Sequence, residues 1–195
     1  VCLTETRTVI LEIMAARVLH VATDAGPWAC AELRALDAAL AAAGSVPLHV
    51  DWAPLALAPD GVHFAARGFD DFGDALARAL SHVPLGSLRI VADSTIGHHG
   101  RTARRRFERR VRRAVGGRVR VDAVCGSGFV ARAEHGEHFR ARCRDAGSSA
   151  VLLIGGWNDV GQASTERLRA AAGACVAAAA RGARGGSGGS GRATT

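Results

Sequence analysis

The chain has 195 residues, 48% of them apolar, yet no apolar run approaches the about 20 residues that cross a bilayer, which argues against a helical membrane protein and for a soluble, globular chain. A formal charge of +7 invites a nucleic-acid partner, but every basic residue is arginine and both lysine and tyrosine are absent. That bias, with abundant Ala, Gly and Val, raises arginine without any binding role. The cysteines (Cys2, Cys30, Cys125, Cys143, Cys175) are odd in number and form no C-x-x-C pair. They read as reduced thiols or scattered core positions, which makes the cytoplasm the expected compartment.

In chain order, Val1–Ala16 is ambiguous between a strand and a helix leading into Val18, and it does not have the charged-then-apolar pattern of a leader. Apolar runs rich in β-branched residues then predict strands at Val18–Thr23, Leu48–Trp52, Leu88–Ala92, Val119–Val124 and Val151–Ile154. Helical patterns fall between or after them at Trp28–Ala43, Gly68–Leu80, Thr102–Val115, Glu137–Ala146 and Thr165–Arg181. Nearly continuous apolar strands alternating with amphipathic helices predict a three-layer α/β/α sandwich with a parallel sheet of about five strands. The Gly/Ser-rich residues 184–195 have the composition of a flexible tail or linker.

Three short segments carry the chemistry. Ser94 ends the run IVADS and precedes a segment able to start a helix near Thr95–Arg101, so it reads either as a helix N-cap or as an exposed nucleophile at the carboxyl edge of a sheet. Asn158 and Asp159 follow a strand through a Gly-Gly turn. They read as a turn and cap, or as a place where an Asn amide donates to a developing oxyanion. Gly126 and Gly128, in CGSG, can present a backbone N–H at the same edge. Asp60 and His63 are three apart, a spacing that lets the carboxylate reach Nδ1 while Nε2 faces the serine.

Together, IVADST, CGSG, GGWND and DGVHF resemble the four blocks of the SGNH (GDSL-like) hydrolase family, with the histidine block displaced to the front. The resemblance spans nearly the whole chain once its halves are exchanged. It implies a single flavodoxin-like domain over 1–183, circularly permuted, in which 1–84 is the family's C-terminal part and 85–183 its N-terminal part. It further implies a serine esterase that forms an acyl-enzyme. Ser94 is then the nucleophile, His63 the base and Asp60 its partner, with the oxyanion bound by the Ser94 N–H, by Gly126 or Gly128, and by Asn158. Asp93, Thr95 and Trp157 are expected around the substrate pocket. The substrate is a small-molecule, carbohydrate or lipid ester, and neither a metal nor an organic cofactor is expected. Transfer of the acyl group to a sugar hydroxyl would use the same residues. The departure from the family motif is Ala92 where it has glycine.

Other features carry blander readings. The cluster Arg101–Arg113 has a stripe of Phe107, Val111 and Val115, so the helix is expected to dock on the sheet with arginines outward. The alternative is a catalytically inactive domain that binds RNA or a protein through this arginine face. His98 and His99 are placed near the pocket entrance, and His135, Glu137 and His138 lack further ligands at metal spacing. Cys125 is expected to be a buried small residue.

Overall fold

The computed structural model describes residues 18–22, 29–53, 55–81, 83, 85–133, 138–144 and 148–184. The ambiguous segment 1–16, Trp28, His135, Glu137 and the tail from 185 onward lie outside the described residues.

Five strands, β1 (Val18–Val21), β2 (Val46–Leu48), β3 (Ser87–Ala92), β4 (Arg118–Ala123) and β5 (Ala150–Ile154), form one all-parallel sheet in the order β2-β1-β5-β3-β4. Strand character follows position. Central β5 reads AVLLI and is buried throughout, as expected of a parallel strand covered on both faces. Edge strand β4 reads RVRVDA, with Val119 buried while Arg118 and Arg120 face water. Edge strand β2 contains Pro47, a residue without an N–H that sheets tolerate at their margins. This strand lies earlier than the apolar run Leu48–Trp52 suggests. Val50 and Trp52 still enter the core, but from irregular backbone beyond the last ladder bond.

The helices are α1 (Ala31–Ala42), α2 (Ala66–Leu80), the single turn α3 (Ser94–Gly97), α4 (Arg101–Val115), α5 (Phe139–Cys143) and α6 (Thr165–Arg184). The helix start expected near Thr95–Arg101 is met by the single turn α3, and the helix expected at Thr102–Val115 is α4, which begins separately behind its cap Gly100. Helix α5 is shorter than its pattern, and α6 runs on to Arg184, three residues past the expected end and into the start of the expected tail.

Helices α2 and α4 cover one face of the sheet, setting Phe69, Phe72, Leu76, Phe107 and Val111 against Leu88, Ile90 and Leu152. Stacked rings bind this layer, with Phe107 5.5 Å from Phe69 and 5.9 Å from Phe72. The arginine-rich α4 docks through its apolar stripe as expected. Arg106 and Arg110 are not free charges, because both bind Asp70 (3.2 and 2.7 Å) and Arg110 also binds Asp74 (2.8 Å). These guanidinium contacts outweigh the effect of partial burial and hold the Asp70 carboxyl below its usual range. Helices α1, α5 and α6 cover the other face around Leu36, Phe139, Val151, Leu153 and Val176. There the buried thiols of Cys143 and Cys175 meet at 3.4 Å. A five-stranded parallel sheet with helices on both faces is consistent with a flavodoxin-like fold. Among the described residues no helix is long and apolar enough to cross a membrane.

One polar residue is buried within β1. His20 is 1% exposed and its Nδ1 meets Ser45 Oγ at 3.0 Å. Burial, reinforced by His49, lowers its pKa to about 4. The unfolded chain therefore takes up the proton first, so this contribution to stability is complete above about pH 6.5 and is lost as pH falls toward 4. The loss is about 3 kcal/mol across that window. Urea denaturation at pH 7 and pH 5 is expected to show lower stability in acid, and His20→Asn is expected to flatten the difference.

Candidate active site

Adjacent strands β3 and β5 send their following helices to opposite faces, since α4 belongs to one core and α6 to the other. A crevice opens at the carboxyl ends of such strands, and that is where ligands bind in open α/β sheets. The loops after β3, β4 and β5 meet there.

After β3, the helix cap is Asp93 rather than Ser94, which is the first residue of α3 and half-buried. Asp93 is fully buried. Its Oδ1 accepts the Thr95 N–H at 2.8 Å and its Oδ2 the Gly156 N–H at 3.3 Å, which ties the β3 loop to the β5 loop. Burial pushes its carboxyl up against the opposing pull of these hydrogen bonds. Asp93, expected at the pocket, is instead an internal brace, because its carboxylate is used up by backbone donors. Gly155 and Gly156 take φ of 146° and 121°, and a Cβ on Gly155 would sit 2.5 Å from Asp93 Oδ2. The Gly-Gly pair is thus required by both conformation and space.

After β5, Trp157–Asp159 form a 3-10 turn, and Asn158 Nδ2 donates to Ser127 O at 3.0 Å. The buried Asp159 accepts the N–H groups of Phe129 (2.8 Å), Val130 (2.8 Å) and Ala131 (2.7 Å), and so holds the loop that follows β4. Gly128 lies against this carboxylate, with an added Cβ 2.5 Å from Oδ2, and its N–H is already donated to Ala131 O at 3.0 Å. Of the two glycines, only Gly126 keeps an exposed place in the turn, with φ of 72°. Cys125 beside it is exposed, not buried as expected, because the edge strand has ended and the chain turns outward there.

The histidine sits on a short hairpin closed by the Leu57–Phe64 bridge and by Ala58 N–H donating to His63 O at 2.8 Å. Asp60 Oδ1 accepts the N–H groups of Val62 (2.9 Å) and His63 (3.0 Å), and Oδ2 lies 2.8 Å from His63 Nδ1. Hydrogen bonds from the His63 backbone and ring, then from Val62, hold the Asp60 carboxyl well below the usual range. A ring that donates from Nδ1 keeps a lone pair at Nε2. The His63 ring stacks on His98 at 4.0 Å between centroids. His98 lies one turn after Ser94 and donates its N–H to Ser94 O at 3.0 Å. His63 is thus brought to the turn that Ser94 begins, and its described contact there is the His98 ring. His99 stacks on Phe69 at 3.7 Å, and burial, with the neighbouring histidines, lowers its pKa to about 4. Of the two histidines after Ser94, the exposed His98 stacks on His63 and His99 packs on Phe69.

A narrow apolar cleft of about 20 Å³ lies beside α3, walled by Val21, Leu33, Trp52, Thr95, Ile154 and Trp157. Thr95 and Trp157, expected around the substrate pocket, both line this cleft. The sequence reading missed Arg142. Only 6% exposed, it donates to Ala92 O (2.9 Å), Ser127 Oγ (2.8 Å), Asp122 O (2.9 Å) and Asp122 Oδ1 (3.0 Å), under the loop that holds Gly126. Among the described residues no group of three or more His, Cys, Asp and Glu side chains is arranged to hold a metal ion.

Comparison of the chain with protein-family models, with curated proteins and with solved structures finds no match in any of the three.

The brace at Asp159 is directly testable. Each buried N–H left unpaired costs about 1–3 kcal/mol, so Asp159→Ala is expected to lower the free energy of unfolding by about 3 kcal/mol or more in urea denaturation. Asp159→Asn, which turns one acceptor into a donor, is expected to fall between that variant and the unaltered chain.

Proposed function

We propose that this chain is a serine esterase of the SGNH type that acts on short acyl esters through Ser94, His63 and Asp60. The observation that carries the reading is the Asp60–His63 pair, bonded at 2.8 Å and held against the turn that Ser94 starts, at the carboxyl edge of the sheet. Strand order supports it. Counted from β3 as first, with β1 and β2 following β5, the order β2-β1-β5-β3-β4 becomes 5-4-3-1-2, the flavodoxin-like 2-1-3-4-5 read from the other edge. On this reading the halves have exchanged places in the chain without disturbing the sheet, as circular permutation does.

The reaction follows from the roles. His63 Nε2 takes the Ser94 hydroxyl proton as Oγ attacks the ester carbonyl, while Asp60 at Nδ1 steadies the imidazolium that forms. The oxyanion is bound by the Ser94 N–H, by the Gly126 N–H and by the second amide hydrogen of Asn158, whose first holds Ser127 O. Gly128 drops out of this set because its N–H is already engaged. His63 then gives its proton to the leaving alcohol, and water activated by the same ring releases the acid. The apolar cleft beside α3 is narrow, about 20 Å³, which favours a short acyl group over a long one.

A fluorophosphonate probe is expected to label the folded protein once, at Ser94, and Ser94→Ala to abolish labelling and aryl-acetate hydrolysis together. Failure to label the folded protein would refute the esterase. Asn158→Ala is expected to lower kcat by about 10²–10³ with little change in stability-limited expression of activity at low temperature. An aryl acetate is expected to exceed the octanoyl ester in kcat/KM by about tenfold or more, since the longer chain must force the cleft open.

A further inference from the structure

Away from the cleft, a cavity of about 490 Å³ runs along edge strand β4. Arginines from four separate elements line it: Arg89 of β3, Arg104 of α4, Arg120 of β4 and Arg142 of α5. Asp122 is the one carboxylate among its lining residues. That carboxylate is already engaged, with Oδ2 2.6 Å from Arg89 and Oδ1 3.0 Å from Arg142. These two arginines are buried and fixed, so they act as rigid charge at the back of the cavity. Arg104 and Arg120 make no ion pair among the described residues and stand at its more open side.

Among the described residues, four guanidinium groups against one carboxylate leave three positive charges, and arginine does not shed its charge at any ordinary pH. A single carboxylate ligand would leave most of that excess unmet. A phosphate monoester brings about −1.5 to −2 charge and three acceptor oxygens, which guanidinium forks engage in pairs. The volume lies within the roughly 300–1,000 Å³ typical of small-molecule sites and exceeds what a bare ion needs. Protection of an open sheet edge explains an arginine on β4. It does not explain why Arg89, from an inner strand, and Arg104, from a helix, converge on the same space.

We propose that this cavity is a binding site for a small organic phosphate, with Arg104 and Arg120 as the residues that grip it. The site is separate from the Ser94 centre and stands whether or not that centre is an esterase. Titration calorimetry of the full chain at low ionic strength, with phenyl phosphate and, separately, inorganic phosphate, tests it. Phenyl phosphate is expected to bind saturably at one site, at least as tightly as inorganic phosphate. The double variant Arg104→Gln/Arg120→Gln is expected to weaken it by about tenfold or more. Neither residue has an ion-pair partner among the described residues, so the melting temperature is expected to hold and serves as the folding control. Arg109→Gln, on the exposed side of α4, is expected to leave binding within about twofold. Ser94→Ala is expected to leave it unchanged. Absence of saturation, preference for the bare ion, an equal loss in Arg109→Gln, or loss of binding in Ser94→Ala would each overturn the proposal.

Discussion

The carboxyl edge of this sheet depends on two carboxylates that face backbone rather than solvent. Asp93 joins the loops after β3 and β5 by accepting from Thr95 and Gly156, and Asp159 joins the loops after β5 and β4 by accepting from Phe129, Val130 and Ala131. An unpaired buried charge is prohibitively costly, so each carboxylate holds its loop in the one arrangement that satisfies it. Arg142 completes the lattice from beneath, with bonds to Ala92 O and Ser127 Oγ. Three loops that the chain separates by tens of residues thereby become one surface. The proposed nucleophile, the Gly126 turn and Asn158 all ride on it.

How far this was legible depends on whether the deciding contact is local. Strands β3 and β5 are plain in the sequence because a buried parallel strand must be apolar on both sides. The Asp60–His63 pair is equally plain, since a spacing of three residues and an Asp-Gly turn set the geometry within the segment itself. The apolar run Leu48–Trp52 misplaces strand β2, because beyond Leu48 it buries Val50 and Trp52 without continuing the ladder. Long-range roles stayed hidden for a related reason. Nothing near Asp159 or Arg142 in sequence indicates donors and acceptors that lie 28 to 30 and 15 to 50 residues away. The one hint was Arg89, a charge within the otherwise buried strand SLRIVA, which signals a partner on the neighbouring strand. Asp93 shows the opposite error, in which a polar residue beside a candidate nucleophile is assumed to face the ligand.

Arginine in this chain divides by position, and overall charge is a poor guide to what each does. Arg106 and Arg110 neutralise Asp70 and Asp74 between helices, and Arg142 satisfies carbonyls in the interior. Arg104 and Arg120 make no ion pair among the described residues and line the cavity along β4. On the proposed reading the molecule carries two unlike sites on neighbouring strands: an apolar cleft beside Ser94 and a cationic cavity along β4. The exchanged order of the halves is then of little consequence to either, because each site is assembled from loops and faces that the sheet brings together.

On the proposed reading Ser94, and no other side chain at this edge, attacks the ester. The sharpest rival is Cys125, an exposed thiol whose sulfur lies close to Gly97 at the end of α3. Peptide mapping by mass spectrometry after brief exposure to an aryl acetate in acid-quenched samples decides between them. A transient acetyl group is expected on Ser94 in the unaltered chain and is expected to be lost in His63→Ala, because the ring that activates water also takes the serine proton. Acetylation confined to Cys125, or absent from Ser94 at every quench time in the unaltered chain, would contradict this reading.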